Sequence, residues 1–307
     1  MKREKIYIVG HINPDLDAIA SAYGYEQYRH SLKEYEYRAI RCGEINSVTR
    51  WVFDRYKTPI PPFFPSISNL NVVLVDHTYP ENRPKGWENA NIVEVIDHHD
   101  VKLVENIPKR LTIRPCGSTS TLIVEKMVNS NISIPFNTAG ILLSAILDDT
   151  LGLMSPTTVQ LDIKMVNILS NIIGISNVQE YFKLLFKQKD VWSKYTAKEI
   201  IEEDVKSIEI DGNWVSVSQV ETLNNREFNE REIIEELEVN NSIKPYSLRI
   251  VMLTDLNKRD CLLLVVGKDI PLVEKALNKE IKDNKVYLKG VVSRKKQILP
   301  ILENIYS

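Results

Sequence analysis

The sequence predicts an α/β fold: an N-terminal, mostly parallel sheet flanked by helices, followed by a smaller C-terminal α+β domain. Three observations lead there. Up to about residue 190, short apolar runs that read as buried strands alternate with longer helical stretches, the pattern of a parallel sheet covered on both faces. Beyond a polar segment around Lys187–Lys194, strands and helices follow in mixed order. The 307 residues also exceed what one core fills well, because single cores stop growing near ~250–300 residues. The expected domains are residues 1–189 and 195–307.

The first strand is Ile6–Val9, and a helix over about Ala18–His30 follows it. Strand-like runs come next at Tyr37–Arg41, Val72–Val75 and Ile92–Ile96, each apolar and each ending in polar residues. Helices are expected near Thr119–Val128, Thr138–Asp148 and Thr158–Ile173. In the second part, strands at Trp214–Val220, Leu248–Leu253 and Leu262–Val266 mix with helices at Arg226–Glu238 and Leu272–Asn278. A short strand is expected to end at Arg294-Lys295-Lys296. No internal repeat or low-complexity tract is present.

Composition narrows the class. With 43% hydrophobic and 26% charged residues and a formal net charge of -2, nothing demands nucleic acid or a membrane surface as partner. Cys42, Cys116 and Cys261 lie far apart, without the spacing of a zinc ribbon or a disulfide framework, and read as reduced, buried thiols. The apolar run after the charged start is too short for a signal peptide, so a cytoplasmic protein is expected. Val128 to Leu147 carries no charge, but Asn129, Asn131, Pro135 and Asn137 interrupt it, against a membrane span.

The unusual residues sit where strands end. After the first strand comes G-H-I-N-P-D-L-D, with His11, Asp15 and Asp17; V-V-L-V-D-H gives Asp76 and His77; V-E-V-I-D-H-H gives Asp97, His98 and His99. Four of the five histidines fall in these three places, and His30 reads as a solvated surface residue. One such pair would read as capping or hydrogen bonding. Three on one edge of a parallel sheet read as a site, since ligands bind at the carboxyl ends of such strands. Clustered carboxylates repel one another unless cations sit among them, and imidazole with carboxylate but no thiolate suits Mn²⁺, Co²⁺ or Mg²⁺. Asp148 and Asp149 close a predicted helix, where the helix dipole disfavours acids; a capping role or a metal would each remove the penalty. Two ions bridged by a carboxylate can hold a hydroxide nucleophile and polarise a phosphoryl oxygen. The second part supplies the opposite sign, with Lys206 after a helical stretch and Arg294, Lys295 and Lys296 together. A basic triplet alone reads as a solvated face; opposite a metal cluster it reads as a clamp for an anionic substrate.

In that order, G-H-I-N-P-D-L-D, V-D-H, D-H-H, G-S-T-S-T (Gly117–Thr121), L-L-S-A-I-L-D-D-T and S-R-K-K-Q make the chain, from Ile6 to Pro300, resemble the family II (manganese-dependent) inorganic pyrophosphatases of the DHH phosphoesterase superfamily. The resemblance implies hydrolysis of pyrophosphate to two phosphates. It implies His11, Asp15 and Asp76 as ligands of one metal and Asp17, Asp76, His98 and Asp149 as ligands of the other. It further implies His99, Lys206, Arg294 and Lys295 as phosphate contacts, two Mn²⁺ or Co²⁺ ions per subunit with additional Mg²⁺ brought by the substrate, a C-terminal domain that closes over the cleft, and a homodimer through the N-terminal domain. The alternative is another DHH phosphohydrolase acting on longer polyphosphate or on nucleotides. Against a nuclease-like relative, the chain contains no Gly-Gly pair.

Three places depart from the family pattern. The usual D-H-N-E or D-H-S-E is here Asp76-His77-Thr78-Tyr79-Pro80-Glu81. The residue before the ligand aspartate, commonly small, is Asp148. The lysine of F-K-S-P-T is replaced by Met154. The last two are expected to make the site less cationic than in relatives.

Overall fold

The computed structural model describes residues 4–99, 108, 110–189, 195–223 and 228–306. The chain divides into two compact units, Met1–Lys189 and Asp190–Ser307. Residues 190–194 of the expected connector lie outside the described residues.

The N-terminal unit begins with β1 (Ile6–Val9), α1 (Leu16–Ser31), β2 (Tyr37–Ile40), α2 (Ser47–Arg55), β3 (Asn71–Val75), β4 (Asn91–Asp97) and β5 (Arg110–Ile113). It ends with four helices, α3 (Thr119–Asn129), α4 (Phe136–Asp149), α5 (Gln160–Ile173) and α6 (Val178–Phe186). The strands form one sheet in the order β2-β1-β3-β4-β5, parallel throughout. Helices α1, α3 and α4 pack together on one face, where Tyr25 of α1 donates to Glu94 of β4 at 2.8 Å. On the other face Val9, Ile40, Leu74 and Val95 pack with Phe64, Ile67 and Trp87 of the segments between strands. The run of buried residues through Val72, Val73, Leu74 and Val75 is the signature of a strand covered on both sides.

The C-terminal unit contains α7 (Ala197–Glu202), β6 (Lys206–Ile210), β7 (Asn213–Thr222), α8 (Glu230–Ile243), β8 (Leu248–Asp255), β9 (Asp260–Val266), α9 (Ile270–Leu277), β10 (Lys285–Lys289) and α10 (Leu299–Tyr306). Its sheet runs β10-β9-β8-β7-β6, with only β7 and β8 parallel among these neighbours. Alternation sorts its side chains: Ile250 and Met252 join one core, and Val251 and Leu253 the other. The predicted α/β plus α+β architecture is the one observed.

Several local expectations need correction. The first helix starts at Leu16, because Asp15 caps it by accepting from Ala18 N at 2.9 Å. No strand leads into Arg294. The amides of Val292 and Ser293 donate to the side chain of Gln297 at 2.9 and 3.0 Å, so this backbone is satisfied locally and turns into a wide helical turn over Arg294–Ile298 capped by Ser293. His30 is half-buried, its Nε2 2.9 Å from both Tyr37 O and Arg38. All three cysteines are free, but Cys42 is only partly buried. No helix among the described residues is long and apolar enough to cross a membrane.

Candidate functional site

The site is built where β1, β3 and β4 lie side by side. From β1 the chain goes first to β2 on one side and then to β3 on the other, and such a switch leaves a crevice at the carboxyl ends of the strands. Gly10 lets the chain turn close against α1: a Cβ there would stand 2.7 Å from Ala18 Cβ and 2.9 Å from its carbonyl oxygen. The turn puts His11 and Asp15 before α1 and buries Asp17 in its first turn. Asp76 follows β3 with φ 65°, a left-handed conformation that costs a non-glycine residue free energy and concentrates at functional sites. Asp97, His98 and His99 close β4.

A second layer fixes these groups. Asp17 accepts from Ser118 Oγ at 2.7 Å, Thr119 N at 2.7 Å and Ser120 N at 3.0 Å, so its carboxylate sits on the amino end of α3. Thr119 Oγ1 donates to Asp76 Oδ1 at 3.0 Å. The loop before α3 is itself held by buried Asp162, which accepts from Gly117 N at 2.9 Å and Thr121 Oγ1 at 2.6 Å. A Cβ on Gly117 would fall 2.3 Å from Thr150 Cγ2, so this approach needs glycine.

The histidines are oriented by carbonyl and carboxylate partners. His98 Nδ1 donates to Cys116 O at 2.9 Å, since a carbonyl only accepts. That leaves Nε2 facing Asp76 at 3.4 Å and Asp149 at 3.8 Å. His11 Nε2 stands 3.7 Å from both Asp15 and Asp76. His99 Nδ1 is 2.8 Å from Asp97 Oδ1. Potential ligand atoms gather into groups within 4.8 Å of one another: His11, Asp15 and Asp76; Asp17, Asp76, His98 and Asp149; and Asp76, Asp97, His98 and His99. All six expected metal-site residues are thus brought together, with Asp76 common to the groups.

Electrostatics show what the cluster lacks. Burial, followed by Asp17, Asp15 and a further acid, pushes Asp76 and Asp149 well above the carboxylate range. Burial also pushes Asp15 up, but His11, the Ala18 amide and Lys189 outweigh it and hold Asp15 below that range. Burial lowers His11 while Asp15 and Asp17 raise it, with a net rise. Buried His77 is pulled down to about 4 by desolvation; its Nδ1 donates to Val75 O at 2.8 Å. Oxygen and imidazole donors without thiolate, crowded until two carboxyls resist ionising, fit divalent cations of the manganese, cobalt or magnesium type. Asp148 is buried too, but Lys189 Nζ meets its Oδ1 at 2.7 Å. Burial pushes its carboxyl up, and Lys189 opposes that shift without cancelling it.

Within the C-terminal unit the expected basic residues also converge. Arg294, 6% exposed, has Nη2 2.8 Å from Asp204 Oδ2, while Nη1 donates to Val217 O at 3.1 Å and to the Asp204 carbonyl. Lys206 lies two residues beyond Asp204. It is exposed overall, yet local desolvation of its ammonium, then Arg294, pulls its pKa down, with Lys295 adding to this and Asp204 opposing. Lys295 is exposed beside Arg294.

Comparison with known proteins decides the family. Residues 5–146 match the DHH family N-terminal domain and residues 183–305 the DHHA2 domain. A manganese-dependent inorganic pyrophosphatase from Methanocaldococcus jannaschii is 35% identical over 311 residues, covering 98% of this chain and 99% of the relative. The chain belongs to the manganese-dependent inorganic pyrophosphatase family. A Bacillus subtilis member is 33% identical, with 97% and 98% covered. A crystal structure from Methanococcus jannaschii assigned to the family II inorganic pyrophosphatases superposes with a TM-score of 0.78 at 35% identity, covering 98% of this chain and 99% of that one.

Sequence reasoning gave this pyrophosphatase-family chain its acids and histidines but no role for the layer behind them. Asp97 was collected at its strand end, yet no function was attached to it; its Oδ1 accepts from the amides of His98 and His99 at 2.7 and 3.1 Å. G-S-T-S-T was visible as a motif, and its hydroxyls and amides prove to be the partners of Asp17 and Asp76. Asp162 and Lys189 carried no signal in the sequence.

Proposed function

We propose that this protein hydrolyses inorganic pyrophosphate to two phosphates, using divalent ions, manganese first among them, held by His11, Asp15 and Asp76 and by Asp17, Asp76, His98 and Asp149. The observation that carries the reading is the convergence of those six side chains into two ligand groups that share Asp76. Divalent ions held there, with Mg²⁺ on the substrate, would supply Lewis acidity toward phosphoryl oxygens and lower the pKa of the attacking water. The chain's own residues do the rest. Asp17, fixed by α3, and His98, fixed by the Cys116 carbonyl, hold their donor atoms in place before any ion arrives, so little reorganisation is needed. His99, oriented by Asp97, offers its remaining ring nitrogen to a phosphate oxygen. Arg294, Lys206 and Lys295 neutralise the charge that grows on the departing phosphate as the bridging P–O bond breaks, when the C-terminal unit closes over the substrate. The same reading takes the protein as a homodimer through its N-terminal unit, where edge strand β5 carries exposed Leu111 and offers a pairing edge among the described residues.

The test is a substrate panel. A diphosphate has no tail beyond its two phosphoryl groups, whereas a longer chain or a nucleotide has one and would oppose the closure proposed for the C-terminal unit, which strengthens contacts by expelling water. With saturating Mn²⁺ and Mg²⁺, kcat/KM for pyrophosphate is expected to be at least about tenfold above that for tripolyphosphate, longer polyphosphate, cyclic dinucleotides or short oligonucleotides, a modest margin of about 1.4 kcal/mol. Preference for any longer substrate would replace this reading with that of another phosphohydrolase and leave the metal centre standing.

A further inference from the structure

The buried carboxylate of Asp148 has no place in the proposed ligand set, although it immediately precedes Asp149 on α4 and is only 5% exposed. In this chain the carboxylate meets Lys189 Nζ at 2.7 Å, and the lysine is delivered by a fixed frame. Tyr181 of α6 bonds Ser144 Oγ of α4 at 2.6 Å, one helical turn before Asp148 on the same face. Beyond α6 the chain stays wound, with Lys189 N donating to Phe186 O at 2.9 Å, and Ser47 Oγ of α2 pins the Gln188 carbonyl at 2.9 Å. The ammonium therefore arrives at the end of α4 by construction.

We infer that Lys189 is a positioning residue of the metal centre: it pairs with the extra carboxylate of Asp148 and holds it out of the ligand set. This rests on the proposed function, because it presumes the ions. Two divalent ions match the formal charge of the four ligand carboxylates Asp15, Asp17, Asp76 and Asp149, and Asp97 is met by His99 at 2.8 Å; Asp148 adds one more carboxylate, which Lys189 meets at 2.7 Å. Without the lysine, Asp148 would be an unpaired buried anion one residue from a ligand, free to compete with Asp149 for the ion.

The experiment is a double-mutant cycle read as Mn²⁺ affinity, by electron paramagnetic resonance of free Mn²⁺ titrated into the chelator-stripped full chain. Removing a positive charge near a cation site strengthens cation binding, and removing a negative one weakens it. Lys189→Met is expected to raise affinity about 3–10-fold, an effect of the size seen between coupled neighbours, and Asp148→Ser in the parent to lower it by no more than about twofold, because there the carboxylate is held out of the ligand set. The Asp148→Ser step should be larger in the Lys189→Met background, where the freed carboxylate has joined the ligands. The double variant should return to within about twofold of the parent. Lys189→Gln, which keeps a donor to Asp148, serves if the methionine variant does not fold, and its affinity should also rise. Equal Asp148→Ser steps in both backgrounds, or no change in any variant, would overturn the inference while leaving the metal centre in place. If the parent binds Mn²⁺ no better than His98→Ala, the metal centre itself fails and this inference with it.

Discussion

The strand-end cluster of the N-terminal unit and the basic set of the C-terminal unit are opposite in sign and alike in predicament. In the first, burial and then neighbouring acids push Asp76 and Asp149 toward their neutral forms; in the second, desolvation and neighbouring cations push Lys206 toward its own. Each set has gathered more like charge than it can compensate. They differ in how firmly they are held. The acids are locked by a buried layer of amides and hydroxyls, whereas Arg294 rests on Asp204 and two main-chain carbonyls and its basic neighbours are exposed. The comparison teaches that one site calls for fixed cations in a rigid cradle and the other for an anion that comes and goes.

The most forceful way to break this comparison is to remove a ligand. His98→Ala or Asp149→Ala should lower both metal content and kcat/KM by more than the roughly 10–100-fold that loss of an outer partner costs, read by metal analysis of the purified variants beside their kinetics. Removal of a basic residue should differ in kind. Arg294→Ala or Lys295→Ala should keep full metal content and lose kcat/KM by about 10²–10³, as for one preorganised charge contact. If all four variants turn over normally, neither set is the site.

A smaller effect sharpens the same contrast through pH. Asp76 and Asp149 bind protons more tightly in the folded, metal-free chain than in the unfolded one, because their folded pKa values are raised. Their contribution to stability is therefore present below the ordinary carboxylate pKa of about 4 and is lost as pH rises through the elevated folded values. His77, lowered to about 4, works the other way: its contribution is present above the ordinary histidine pKa of about 6.5 and is lost as pH falls toward about 4. Thermal unfolding should thus show the Tm of the metal-free protein falling relative to that of the Mn²⁺-saturated protein as pH rises out of the acid range, His77 contributing the same rise to both. A Tm slope that is the same with and without metal would contradict the electrostatic picture of the cluster.

How much was legible in the sequence follows from the range of the interactions. The apolar runs of β1, β3 and β4 and the acids that end them lie within a few residues of one another, so periodicity and position exposed both sheet and cluster. The short strand Arg110–Ile113 and helix Ser47–Arg55 escaped because four residues show no usable period and because α2 buries only part of its length. The support of the site was illegible for a different reason. Asp17 meets Ser118 across 101 residues, Asp162 meets Gly117 across 45, and Asp148 meets Lys189 only after α5 and α6 have packed. Nothing local announces such partners. Arg294 was misplaced because Val291 and Val292 look like strand residues, while Gln297, five residues on, takes the amide that a neighbouring strand would have taken.

The order of the ligands along the chain has a consequence for the timing of metal capture. His11 leads and Asp149 closes the set, and between them β1, β3 and β4 must pair in register and α3 must dock before Asp17 finds its amides. A chain emerging from synthesis carries four of the six ligands once Asp76 has appeared, but no complete pair of ligand groups until α4 has been made. In the proposed centre the ion held by Asp17, Asp76, His98 and Asp149 is then a late check on assembly, and a chain stalled or cut before Asp149 has no finished second group in which to trap it.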